Sequence, residues 1–383
     1  MSERFSAPHD AALYAQMSAE IEEKLRRAAP VYVDRFPHVS TLPAEGLRYL
    51  PEENTAWTSS FFPGMMYLAY DRTGDRAFLA HAEEYLASFA NRLEQKIGVS
   101  HDFGFLYTLS CVALYKLTGN ERARAVALGA ADVLAGRYNE KGRYLQAWGE
   151  YGVGTPYVKI IVDTMMNLPL LFWAGEVTGD ARYTEIATAH AHTCADYLVR
   201  EDFTSFHSYL MDPVTGRAVE GRTVQGFHDN TTWARGQSWV VTGFALAYRY
   251  TGQARFLEVS RKAAAVFLEN LPADHVPYWD FVFNDRVPDL RDTSAAAIFI
   301  CGMLELADLL RAQAPAQAEA YHAVARTMVR ALYDRYFLHD PDRLGVLTDA
   351  IFHRQEGPVC TIWGDYFFYE ALIRLQKEWR RYW

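Results

Sequence analysis

Cysteine is scarce in this chain and never paired by spacing. Cys111, Cys194, Cys301 and Cys360 stand singly inside helix-like segments, with no CxxC pair. That argues against a zinc site or a disulfide framework and predicts four buried thiols. Clustered positive charge is missing as well: the formal net charge is −9 and Lys and Arg form no stripe, so nucleic acid is not expected as a partner. No run of about 18 apolar residues offers a membrane span. The opening stretch MSERFSAPHDAALYAQMSAEIEEKL has no apolar centre flanked by basic residues and no small-residue cleavage site. It reads as no signal peptide, and the protein as cytoplasmic with no membrane partner. Nor does any Pro/Gly/Ser linker, low-complexity run or charge block mark a boundary. One domain, 1–383, is expected.

What the chain does have is a repeat. Thr-Gly followed by Asp, Asn or Gln occurs at Thr73-Gly74-Asp75, Thr118-Gly119-Asn120, Thr178-Gly179-Asp180 and Thr251-Gly252-Gln253, each time after an apolar, aromatic-rich run. Glycine can take the left-handed conformation that ends a helix, and Asp or Asn can cap the next one, so the tag reads as the joint of a helical hairpin. After each joint comes an amphipathic stretch such as FLEVSRKAAAVFLENL, an outer helix with one wet face. Before it the run is apolar nearly all round, as in DTMMNLPLLFWAGEV, an inner helix.

Inner helices are predicted over 57–72, 102–118, 163–178, 235–251, 292–312 and 361–376, with outer partners over 11–28, 76–95, 121–136, 181–199, 254–270 and 316–335. Six of each, alternating, read as an all-α (α/α)6 toroid, because a closed ring hides both end faces without capping repeats. Half the residues are apolar and 14% aromatic, enough for one large core. The widest gaps, 137–160, 200–232, 271–291 and 336–360, all lead into N-terminal ends of inner helices. Those ends share one face of a toroid, so the long loops should wall a single pocket.

Chemistry-bearing residues gather at those ends. Trp57, His101-Asp102, Asp163, Trp233, Arg235, Trp239, Arg291-Asp292, Trp363 and Asp365 stand at or near the inner-helix starts. Helix N-termini favour negative charge, and aromatic faces beside carboxyls are what a sugar ring needs. Asp is also a common N-cap, so Asp292 reads as a cap or a support, and Asp365 as structural. Asp102, beside His101 and followed by Gly104, and Asp163, in an otherwise apolar segment where a lone charge is costly, are the candidate catalytic pair. The run from Gln225 to Asn230, followed by Trp233 to Trp239, is too rich in polar, basic and aromatic residues for a packed helix. It belongs with His207 in the wall of the pocket.

The segments Ser100-His101-Asp102-Phe103-Gly104-Phe105, Asp163-Thr164-Met165-Met166-Asn167-Leu168-Pro169 and Trp233-Ala234-Arg235-Gly236-Gln237-Ser238-Trp239 resemble the unsaturated glucuronyl hydrolases of glycoside hydrolase family 88. The resemblance runs from Trp57 to the Trp-Gly-Asp-Tyr-Phe segment at 363–367. It implies an enzyme that removes the 4,5-unsaturated uronic acid from the non-reducing end of lyase-generated oligosaccharides, chiefly disaccharides, by hydrating the enol-ether double bond. Two carboxyls then do not attack the anomeric carbon as in ordinary glycosidases. Asp163 matches the general acid/base that protonates C4 while water adds at C5. Asp102 matches the second essential carboxylate, which orients the ring. Arg235 matches a position near the uronate; Trp239, Gly221 and Thr223 match further substrate-contacting positions. Trp57, His101, Trp148, His207, Gln225 and Trp233 match the pocket lining. No metal or organic cofactor is implied.

Other readings separate on the same residues. An unsaturated rhamnogalacturonyl hydrolase shares the Trp-Ala-Arg-Gly-Gln stretch and differs in substrate. A sugar epimerase or isomerase on the same toroid would need histidine proton shuttles at inner-helix ends, most of which carry Asp or Trp here. A non-catalytic helical scaffold would have no reason to converge Trp, Asp and Arg.

Overall fold

The computed structural model describes residues 4–80, 82–150 and 156–383. Its helices are α1 (Ala11–Ala28), α2 (Phe61–Thr73), α3 (Ala82–Glu94), α4 (Phe103–Tyr107), α5 (Ala113–Thr118), α6 (Glu121–Ala135), α7 (Leu168–Thr178), α8 (Ala181–Tyr197), α9 (Ala234–Thr251), α10 (Ala254–Glu269), α11 (Thr293–Leu310), α12 (Pro315–Tyr336) and α13 (Ile362–Gln376). Inner helices α2, α4–α5, α7, α9, α11 and α13 pack side by side, and α13 returns to α2. With α1, α3, α6, α8, α10 and α12 outside them, the ring closes as an (α/α)6 toroid.

The hairpin joints form by local chemistry. Gly74, Gly119, Gly179 and Gly252 all lie at φ between +66° and +74°, a left-handed turn that glycine enters without a Cβ clash. The threonine before each turns its hydroxyl back onto the carbonyl four residues earlier, at 2.6–2.7 Å. Asp75, Asn120 and Asp180 then cap the following element through backbone N–H groups. Gln253, one carbon longer, makes no such cap.

Two inner helices are not continuous as their apolar runs predict. Between α4 and α5 the backbone widens into a π-helical turn over Thr108–Val112, where Ser110 Oγ donates to the Leu106 carbonyl at 2.5 Å. Ahead of α7 lies a 3-10 turn, Val162–Met166. Pro169, which lacks an N–H, then occupies the first turn of α7, a position a helix tolerates. The outer helix expected over 76–95 likewise opens as a 3-10 turn, Arg76–Leu79, before α3; residue 81 lies outside the described residues.

The loops hold strands that helical periodicity does not announce. Val158–Ile161, Ser208–Met211 and Ala218–Arg222 form an antiparallel sheet in which Ile161 faces Ser208 and Ser208 faces Arg222. The loop expected over 137–160 carries a short hairpin, Tyr138–Asn139 against Tyr144–Leu145; residues 151–155 lie outside the described residues.

At the opposite end of the ring, residues 377–383 turn back into the axis. Trp383 stacks on Phe367 with centroids 5.7 Å apart and donates its indole N–H to Glu370 at 2.8 Å. Nearby, buried Glu305 accepts from Arg374 at 2.7 Å, from Arg381 at 3.2 Å and from Arg249. The four cysteines are buried and free. The expected absence of any apolar run of membrane-spanning length needs one correction. α11 is long and apolar enough to cross a bilayer by length and composition, and most of it is buried. Its apolar faces are those of an inner helix packed against α9, α12 and α13.

Candidate active site

Asp163 is delivered by the sheet. Ile161 is still extended, the Val162 N–H donates to the His207 carbonyl at 3.0 Å, and the chain then tightens into the 3-10 turn that carries Asp163. Across the ring's inner wall, His101 and Asp102 precede α4. The two inner segments are latched by Gly104 and Asn167: Asn167 Oδ1 accepts from the Phe105 N–H at 2.6 Å. A Cβ on Gly104 would stand 2.2 Å from Asn167 Cα. Only glycine allows this approach.

The result is a compact triad. His101 is fully buried; its Nε2 lies 3.5 Å from Asp102 Oδ1 and its Nδ1 3.9 Å from Asp163 Oδ1. Asp102 accepts from Ser100 Oγ at 3.0 Å. Asp163 Oδ1 is buried with no hydrogen-bond partner among the described residues. Burial is the largest influence on Asp163 and pushes its carboxyl up to about 6, aided by Asp102 and opposed by His101 and Arg235. A carboxyl that holds its proton near neutrality is a candidate general acid.

A second group forms the other wall. Arg235 is buried between Trp233, 4.4 Å from its ring centre, and Trp363, at 5.1 Å. Arg235 Nη1 donates to Asp292 at 2.8 Å and to the Ile351 carbonyl at 2.5 Å, and Nη2 to Gln225 Oε1 at 3.1 Å. Trp57 packs 5.2 Å from Trp363. His207 lies edge-on to Trp233 at 5.1 Å and 3.4 Å from Gln225. Burial, with Arg235 and Lys159 nearby, pulls its imidazole down to about 3, so it stays neutral.

The remaining residues singled out from sequence divide between the edge of this site and the framework around it. Trp148 is half exposed and meets His101 edge-on at 6.1 Å. Thr223 turns its hydroxyl toward the Asp229 and Thr231 carbonyls, bracing its own loop. Gly221 lies on the sheet, where an added Cβ would meet the Phe206 ring at 2.7 Å. Trp239 is buried between Phe105 and Phe367, in the core at the middle of the ring. Asp292 caps α11 through the Ser294 and Ala295 N–H groups while pairing with Arg235. Asp365 accepts from Tyr49 Oη at 2.8 Å and the Leu347 N–H at 2.9 Å, and burial pushes it up to about 7. It ties down the 336–360 loop.

Sequence reasoning missed Thr164, whose hydroxyl lies 2.6 Å from His101 Nδ1; its place beside Asp163 was the available signal. It also missed the role of Asn167 as latch. By type, His101, Asp102 and Asp163 could hold a divalent cation, since one ligand atom from each lies within 4.8 Å of the others. That use would compete with acid chemistry, because a bound cation holds a carboxylate ionised.

The chain is similar to known proteins along nearly its whole length. The model of Glycosyl Hydrolase Family 88 matches residues 32–357. An unsaturated glucuronyl hydrolase of Bacillus sp. (strain GL1) is 42% identical over 91% of this chain and 93% of its own. An unsaturated chondroitin disaccharide hydrolase of Streptococcus pneumoniae is 38% identical over 94% of this chain and 92% of its own. The crystal structure of the unsaturated glucuronyl hydrolase of Streptococcus agalactiae superposes with a TM-score of 0.94 at 34% identity, covering 100% of this chain and 96% of that one. A mutant of that enzyme complexed with dGlcA-GalNAc6S superposes at 0.87, with 32% identity and the same coverage. With the family model spanning most of its length and relatives matched nearly end to end, the chain belongs to glycosyl hydrolase family 88.

Proposed function

We propose that this enzyme removes a 4,5-unsaturated uronic acid from the non-reducing end of a small oligosaccharide by hydrating its enol ether. The observation that carries the reading is Asp163: a desolvated carboxyl pushed up to about 6, with one oxygen unpartnered among the described residues beside His101 and Asp102. An enol ether is electron-rich at C4. The Asp163 O–H protonates C4, positive charge develops at C5 and the ring oxygen, and water adds at C5 while a carboxylate takes its proton. The C5 hemiketal collapses to a ketone, which releases the ring oxygen to C1 as a hydroxyl. The C1 hemiacetal then expels the remaining sugar as an alcohol. One water is consumed, and Asp163 is reprotonated for the next turnover.

The surrounding residues suit this chemistry. Asp102, 3.5 Å from His101 within the triad, is placed to steady developing positive charge. Trp57, only partly buried, offers an apolar face for a sugar ring, with Trp363 packed against it and Trp233 buried beside Arg235. Arg235 and Gln225 supply N–H groups on the side where the uronate carboxylate would sit. A histidine-driven epimerase reading is disfavoured because most inner-helix starts carry Asp or Trp rather than His.

Purified protein incubated with an unsaturated chondroitin disaccharide, and separately with an unsaturated rhamnogalacturonan disaccharide, gives the test. Loss of the conjugated-alkene ultraviolet band with the first supports the glucuronyl reading. Loss only with the second moves the enzyme to rhamnogalacturonyl substrates, and loss with neither refutes enol-ether hydration.

A further inference from the structure

Beyond α13, residues 377–383 are irregular chain, yet four inner helices hold them. Lys377 Nζ donates to the Asp71 carbonyl of α2 at 2.7 Å. Lys116 of α5 donates to the Arg381 and Tyr382 carbonyls at 3.0 and 3.1 Å, and its own carbonyl accepts from Arg380 at 2.6 Å. Arg381 pairs with Glu305 and Asp308 of α11, and the Trp383 indole donates to Glu370 of α13 at 2.8 Å. Ordering an irregular segment costs backbone entropy, which these bonds and the buried rings offset. The ring they fix in place is that of Trp383. It lies parallel to Phe367 at 5.7 Å and edge-on to Phe105 at 5.9 Å. Phe105 in turn meets Trp57 at 5.5 Å and Trp239 at 5.6 Å, while its backbone N–H and carbonyl are held by Asn167 and Ser60. Of these rings Trp57 alone is only partly buried. An aromatic column therefore runs along the axis from residue 383 to the wall of the pocket.

We infer that Trp383 is a positioning residue: pressed against Phe105 from the far end of the ring, it fixes the depth at which Trp57 presents its face to the sugar. Close-packed interiors pass a displacement from one side chain to the next. Because the Phe105 backbone is latched at both polar groups, loss of the indole is met by the Phe105 side chain, which tips toward the space left and withdraws from Trp57. The contacts of His101 with Asp102, Asp163 and Thr164 do not pass through the column. Substrate binding therefore depends on Trp383 more than the chemical step does. This deepens the proposed function, and the kinetic half of its test rests on that reading.

Fluorine NMR of protein labelled with fluorotryptophan, with Trp57 and Trp148 assigned through Trp57→Phe and Trp148→Phe, reads the column without substrate. In Trp383→Ala the Trp57 signal should shift or broaden while that of Trp148, half exposed at the rim, stays. A Trp57 signal at its wild-type position overturns the inference, and so does an equal displacement of both. With an unsaturated chondroitin disaccharide, Trp383→Ala should raise KM about threefold or more and change kcat by less than about twofold. A fall in kcat at wild-type KM overturns the inference. Trp383→Phe keeps a ring against Phe367 and Phe105 and drops the bond to Glu370; it should restore the Trp57 signal and KM. A Trp383→Phe enzyme as impaired as Trp383→Ala shows that the indole N–H acts and the ring does not, which also overturns it. If Trp383→Ala fails to fold, Lys116→Met releases the Arg381 and Tyr382 carbonyls and leaves every ring of the column present. It should displace the Trp57 signal, and an unmoved signal overturns the inference. Wild-type protein inactive on unsaturated disaccharides refutes the proposed function, while the fluorine signals still decide the column.

Discussion

Replacing Asp163 by Asn should destroy activity and stabilise the protein in the same stroke. Its carboxyl is displaced from an ordinary 3.8 to about 6 by burial, and its side chain is 15% exposed. Between those two pH values the folded state holds a proton that the unfolded state has released, so stability declines as pH rises through the window. Above about 6 the full penalty applies; a displacement of roughly two pH units corresponds to about 3 kcal/mol. Asn carries no charge to desolvate. Asp163→Asn should therefore gain up to about 3 kcal/mol over wild type at pH 8 and almost nothing at pH 3, below the unfolded-state value. For a chain of this length that is about 4 °C in Tm, taking about 2 cal/mol/K of unfolding entropy per residue. Turnover should fall by roughly 10²–10⁴ with the loss of the general acid. Paired melts at the two pH values and the alkene absorbance assay check both halves. Equal stability changes at both pH values, or near wild-type turnover, would refute the reasoning.

Three further perturbations test the remaining parts. Arg235→Ala leaves Asp292 buried without its partner and should cost about 3–5 kcal/mol in urea unfolding, with KM raised; an unchanged melt and KM would remove Arg235 from both roles. Gly104→Ala drives a methyl group into the Asn167 backbone. It should destabilise by about 1–3 kcal/mol and slow turnover through the displaced Asp102, and a variant with wild-type urea unfolding and turnover would show that the two inner segments do not depend on this close approach. Activity should survive prolonged EDTA treatment, and an added divalent transition ion should inhibit by occupying His101, Asp102 and Asp163. Loss of activity in EDTA that returns with metal would overturn the acid role of Asp163.

The ring was legible because its signals are local. A Thr-Gly joint is written in a few adjacent residues, and both the left-handed glycines and the threonine hydroxyls act within one helical turn. Asp102 stood out for its neighbours His101 and Gly104, and Asp163 for its place in an otherwise apolar segment. The sheet was illegible because its partners, Val158–Ile161 and Ser208–Met211, are separated by α7 and α8, and nothing local sets their register. The 3-10 turn at Asp163 follows from the sheet that feeds it, through the Val162 N–H bond to the His207 carbonyl. Trp239 and Thr223, which the resemblance matches to substrate-contacting positions, lie one in the core and the other braced against its own loop.

The return of α13 to α2 has a consequence for how the molecule is made. The seam joins segments separated by some three hundred positions, so the ring stays open until its final helix has been synthesised. His101, Asp102 and Asp163 come from neighbouring inner segments and can meet early, whereas Trp57 gains Trp363 only at closure. Such distant pairing is slow. The acid centre can therefore exist on the growing chain before there is a wall to hold a sugar against it, and competence arrives with the last turn of the ring.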